Sequence, residues 1–298
     1  MKLIRRLITL VIVLVLVLVI GFIAVNKYVE QTYGISLTRT IKELKILTDE
    51  VDTNKLLTNA YDDSDMVDVQ TIVNKSADGL ITYNEDGSYA VNFDDLPEEM
   101  TEVIELSDRQ VAAMSQTVVD QELGGRVMAG DNSIGVQICQ VAFTKSESGN
   151  TLINTVFSLD LGELLNKIPD NFPFNLIKSR IPKVFYVSST TESIKGTEAF
   201  SYSVKHVDLT INNLSGEDTE DLFHTLDLLV GIGSAESLNE TLGDMMMDAL
   251  VGDEDARGVA HQLESIGSTD YEFVEENGEI YYRVLRDLPD LGEPDQND

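Results

Sequence analysis

The pattern of apolar and polar positions changes character twice along this chain. From Leu7 to Val25, nineteen residues of Leu, Val, Ile, Phe and Ala are broken only by Thr9 and Gly21. At 1.5 Å rise per residue such a helix crosses a hydrocarbon core of roughly 30 Å. The run exceeds the apolar region of a cleaved signal peptide and leads into Asn26-Lys27 without a small-x-small site, so it reads as a retained anchor. Leu37, Ile41, Leu44, Leu47 and Val51 then recur every three or four residues, which predicts an amphipathic helix from Ser36 to about Ala60. Asp62, Asp63, Asp65 and Asp68 follow. Lacking the Gly and Glu of a calcium loop at the required offsets, they read as an acidic linker.

The remainder alternates between the two periods. Leu80 to Tyr83 and Tyr89 to Phe93 flank Asn84-Glu85-Asp86-Gly87, while Tyr271 to Val274 and Ile280 to Leu285 flank Asn277-Gly278; both patterns predict hairpins. Ser107 and Gln110 form a capping-box pair ahead of Val111, Met114 and Val118, so a helix of about four turns is expected there. Residues 134–144 predict a strand paired antiparallel, across Ser148-Gly149-Asn150, with one carrying Ile153, Thr155, Phe157, Leu159 and Leu161 on one face. Prolines at 169, 173 and 182 exclude a regular internal strand and predict a short helix and connection. Strands are expected from about Lys183 to Ser188 and from Ala199 to Asn212. In the second, the apolar set shifts from Phe200, Tyr202 and Val204 to Val207, Leu209 and Ile211, which predicts a bulge or bend near His206. Three helices should follow, starting at Ser215, Ser234 and Asp253. The tail from Asp287, with two prolines and five acids, reads as disordered.

The fold class expected is therefore α+β: a transmembrane helix followed by antiparallel sheet packed with amphipathic helices. The domain plan is a cytoplasmic N-terminus (1–6), a transmembrane helix (7–25), a juxtamembrane helix and acidic linker (26–68), an α+β extracytoplasmic domain (69–286) and an acidic tail (287–298). Lys2, Arg5 and Arg6 precede the apolar run without an acid, so the positive-inside bias keeps the short N-terminus cytoplasmic and places the rest outside. Residues 1–25 hold three of the 21 bases and none of the 52 acids, so the remainder carries a formal charge of −34. That field repels nucleic acid and anionic headgroups and favours basic partners or divalent cations. A single cysteine, Cys139, cannot make an internal disulfide, so stability must come from a packed core. The sequons at Asn74, Asn213 and Asn239 read as chance occurrences.

Candidate chemistry is sparse. His206, His224 and His261 show no metal-ligand spacing. Gly231-Ile232-Gly233-Ser234 lacks the Lys-Ser/Thr of a phosphate loop and reads as helix punctuation, and Ser193-Ile194-Lys195 has the wrong spacing for a Ser-x-x-Lys nucleophile. Cys139 lies among apolar residues and reads as a small buried hydrophobe. Met245-Met246-Met247 reads as helix core. Three consecutive residues cannot all face inward, however, so at least one is expected to approach the surface or line an apolar groove. No cofactor, metal or catalytic residue is assigned.

The helix start Leu106-Ser107-Asp108-Arg109-Gln110, followed by the strand pair, resembles membrane-anchored exported proteins of Gram-positive bacteria, some with tubular lipid-binding folds; the likeness covers residues 105–215. It implies an address at the cell envelope and transfers no functional residue. The expected function is a non-catalytic binding or scaffold protein whose partner is an envelope protein or a lipid. Carriage of a lipid or other amphipathic molecule is the alternative, and an envelope hydrolase with scattered residues is a third reading.

Overall fold

The computed structural model describes residues 23–287 except 33, 35, 169, 172–174, 176, 177, 180 and 254–256. The expected span Leu7–Val25 lies outside them up to residue 22, as do part of the proline-rich connection and the tail from 288. Among the described residues, no helix is long and apolar enough to cross a membrane.

After a helical stretch at 23–32 come α1 (Leu37–Thr48), α2 (Thr53–Leu56) and α3 (Asp63–Ser76), then the short strands β1 (Ile81–Tyr83), β2 (Tyr89–Val91) and β3 (Ile104–Leu106). Helix α4 (Asp108–Leu123) leads into β4 (Arg126–Ala129), β5 (Asn132–Lys145), β6 (Thr151–Asp160), α5 (Gly162–Leu165), β7 (Val184–Lys195) and β8 (Tyr202–Ile211). The chain closes with α6 (Glu217–Val230), α7 (Ala235–Leu250), α8 (Val259–Gln262), a 3₁₀ turn (Leu263–Ile266), β9 (Ser268–Glu276) and β10 (Glu279–Arg286). The fold is α+β with antiparallel sheets: a β1-β2 hairpin, a three-stranded sheet β3-β10-β9 and a five-stranded meander β4-β5-β6-β7-β8.

Two extra residues curl the meander. Between β5 and β6 the register passes from Ile138↔Phe157 to Gln140↔Val156, leaving Cys139 unmatched. Between β7 and β8 it passes from Thr190↔Asp208 to Thr191↔His206, leaving Val207 unmatched beside the expected position. Each bulge adds twist, and the sheet wraps so far that α7 touches both of its edge strands, β4 and β8, while α4 packs on β5. The concave face is thus occupied by two helices.

Several elements differ from the sequence pattern for identifiable reasons. Helix α1 ends at Thr48 rather than near Ala60, because Asp49 turns extended and Asp49, Glu50 and Asp52 would otherwise crowd the negative helix terminus. The acids at 62–68 are not a linker. Asp62 caps α3, its side chain accepting from Ser64 N (2.8 Å), and Asp65 accepts from Asp62 N (2.8 Å), so acids stand where the dipole favours them. Strand β7 continues past Ser188 to Lys195 with Ser189, Thr191 and Ser193 inward and buried; their hydroxyls hid the alternation. The residues before α6 and α8 are Gly216 and Gly258, not Ser215 and Asp253. The capping box at Ser107 and Gln110 forms as its spacing predicts, and Asn277 and Gly278, at φ 55 and 86, make the β9-β10 turn.

Candidate binding cleft

The β1-β2 hairpin would be marginal alone and is held by two helix amides. Asn74 of α3 accepts from Ile81 N and donates to Ile81 O, both at 2.8 Å. Gln121 of α4 accepts from Val91 N (3.0 Å) and donates to Val91 O (2.8 Å). Ile81 and Val91 are register partners, so both edges are capped at one rung. Two residues further out, Tyr83 pairs with Tyr89, their rings 4.9 Å apart and tilted by 57°. Tyr83 is 61% exposed.

Under this tip lies an open cleft of about 580 Å³ bounded by α3, the hairpin and α4. Tyr61 and Met66, at the N′ and N4 positions of α3, line it with Val67, Tyr83, Tyr89 and Thr117. Among the described residues lining it, Asp62, Asp63 and Asp120 are acidic and none is basic. Outside it, Arg109 of α4 ties down α3, its Nη2 lying 2.6 Å from Asp65 and 3.0 Å from Asp62. Hydrogen bonds from Ser64, and then the Arg109 charge, hold the Asp62 carboxyl below its ordinary range. Burial, reinforced by Cys139, Asp120 and Asp63, raises the Tyr61 phenol to about 12, so it stays neutral at pH 7.

Gln116 joins the cleft to the sheet. Its Oε1 accepts from Ile138 N (2.5 Å), beside the Cys139 bulge, and its Nε2 donates to Asp120 Oδ1 (2.7 Å). The bulge therefore fixes a carboxylate in the cleft.

Two other cavities are less suited to a ligand. One of about 650 Å³, at the start of α4, mixes Asp108, Arg109, Lys145, Glu275 and Glu279, and its guanidinium is already committed to α3. The other, about 280 Å³, lies between α4 and α7 and is lined by Val118, Val119, Met245, Asp248, Ala249 and Arg257.

The structure brings few of the sequence candidates together. Met245, Met246 and Met247 are at most 3% exposed, so of the two expected outcomes the approach to the surface does not occur, because sheet and α4 enclose α7 from different sides. Met245 lines the small cavity, and Met247 Sδ accepts from Ser193 Oγ at 3.5 Å. Cys139 is half-buried at its bulge rather than buried, and desolvation pushes its thiol up, away from nucleophilic character. Asn239 Nδ2 bonds His206 Nδ1 (2.6 Å), His224 is exposed, and His261 packs edge-on against Phe200. Among the described residues no cluster of His, Cys, Asp and Glu is placed to hold a metal. Gly231 closes α6 with left-handed backbone and Ser234 caps α7, and Lys195 pairs with Asp270 at 2.6 Å. The tyrosines were missed by sequence reasoning, although Tyr83 and Tyr89 flank the Asp-Gly turn symmetrically and could have been paired from it.

Fold and cleft together define a curled antiparallel sheet filled by two helices, with an aromatic, acidic cleft beside it. No family model matches the sequence, and no match was found among curated proteins or solved structures.

Proposed function

We propose that this is a membrane-anchored, extracytoplasmic binding protein of the cell envelope, without catalysis of its own, and that the tyrosine cleft is its binding surface. The observation that carries this reading is Tyr83, 61% exposed over an open cleft already holding Tyr61 and Tyr89. Aromatic rings supply much of the contact energy in recognition sites, and an exposed cluster beside fixed polar groups matches their anatomy. The apolar run Leu7–Val25 and the bases before it support the address. Carriage of a lipid needs a long apolar chamber, and the filling of the concave face by α4 and α7 counts against that alternative. A hydrolase needs a nucleophile beside a base, and the half-buried Cys139 thiol with its raised pKa offers little support for one.

A photo-cross-linking residue at position 83 in cells tests the cleft, with position 128 as control, since Met128 is also exposed but lies on β4. A discrete adduct from 83 alone is expected. Equal yield from 128 removes the cleft from the proposal, and recovery of the intact chain in the cytosol removes the address.

A further inference from the structure

We infer that the cleft takes a cationic peptide segment, with a lysine or arginine side chain seated among the tyrosines; this rests on the binding reading above. Among the described residues, the lining holds three acids, no base and three aromatic rings. Asp62 is compensated by Arg109. Asp120 has one oxygen held by Gln116, which orients the carboxylate without neutralising it, and Asp63 completes the negative wall. A cation over a tyrosine face within reach of carboxylates gains from both the ring quadrupole and the charges. The neutral Tyr61 phenol adds a hydrogen-bonding group that does not ionise at working pH.

Charge also sorts the competing occupants. The chain carries −31 overall, so anionic polymers are repelled from a cleft whose described lining has no base to receive them. A neutral glycan can stack on tyrosine and donate hydroxyls to the carboxylates but gains nothing from their net charge. The cleft, at about 580 Å³ and open to solvent, is larger than an isolated ammonium head requires, which favours a segment of chain.

The test uses the full-length protein in neutral detergent, with hexalysine, hexaglutamate and a neutral N-acetylglucosamine hexamer as probes. Binding is read by calorimetry and by the change in tyrosine emission, which no tryptophan masks. Hexalysine alone should bind, more weakly as salt rises. Tyr83→Ala should weaken it about fivefold and Tyr83→Phe less than about twofold. Asp63→Asn with Asp120→Asn should weaken it about tenfold, while Glu217→Gln with Glu236→Gln, exposed acids at the starts of α6 and α7, should change it less than about twofold. Equal loss from the distant pair would mean diffuse attraction and overturn the inference, as would failure of hexalysine to bind. If the oligosaccharide binds instead and Tyr83→Ala abolishes it, the cationic ligand falls and the cleft stands. If no probe binds and position 83 yields no adduct, both fall.

Discussion

Helices α4 and α7 fill the same curled sheet by different physics. Between Val111 and Val119 helix α4 is buried nearly all round, and its Val111, Met114 and Val118 share a core with Ile134, Val136 and Ile138 of β5. Helix α7 covers a row of hydroxyls on β7 instead: Ser189, Thr191 and Ser193, each at most 5% exposed, face its Asn239, Gly243 and Met247. Each helix nevertheless carries one amide that serves a bulge. Gln116 takes the single amide proton of Ile138. Asn239, fully buried, accepts from Ser189 Oγ (2.5 Å) and shares its Nδ2 protons among Thr190 O, His206 Nδ1 and Asp208 O. A bulge under an apolar helix thus needs one polar contact, whereas a bulge under a polar patch needs a hub.

Asn239→Leu should be the most damaging change, because several buried groups lose their partner at once. A loss of about 4 kcal/mol is expected in urea unfolding. Gln116→Leu orphans one buried N–H and frees Asp120, for about 2 kcal/mol. If the two cost the same, the contrast between hub and single contact fails. Gly243→Ala sharpens it further: a Cβ there would stand 2.6 Å from Val204 Cγ1 and 2.8 Å from Thr191 Cγ2. These β-branched side chains yield little, so strain should outweigh the gain in helix propensity by about 1–2 kcal/mol.

The smallest effect should be a gain. Asp248 receives the Tyr202 hydroxyl, and burial raises its carboxyl above the usual range despite that bond. Its folded pKa exceeds the unfolded one, so the folded state binds more protons between them, and stability falls as pH rises through that window. Asn can still accept from Tyr202. Asp248→Asn should therefore raise the midpoint at pH 7 by about 2–4 °C, discounted for partial exposure, and the gain should fade below about pH 4. A gain that persisted at pH 3 would trace to packing instead.

What could be read from the residues depended on whether burial wrote an apolar period. The Val207 bulge was legible because the apolar set of β8 changes face there. The Cys139 bulge was not, since Ile138, Cys139 and Val141 are all apolar and mask the slip. The inner half of β7 escaped notice because its buried residues are hydroxyls, a choice that makes sense only with Asn239 overhead. Asn74 and Asn239, read as idle sequons, are amides committed to backbone and side-chain partners. The hairpin tip was legible in its turn; Tyr61 joins it through the packing of α3 on α4, which the Arg109–Asp65 pair helps to hold, a contact across distant sequence that no local pattern records.

The helical stretch at 23–32 buries Val29, and its Asn26 side chain accepts from Thr38 N (3.1 Å). Helix α1 and its C-cap are fastened in turn to the two residues after β8, Asn212 and Asn213 reaching Leu47 O and Asp49 O. The described stretch at 23–32 is therefore tied through α1 to the end of the five-stranded sheet. A pull applied at residues 23–32 is expected to reach the edge strand β8 through these bonds.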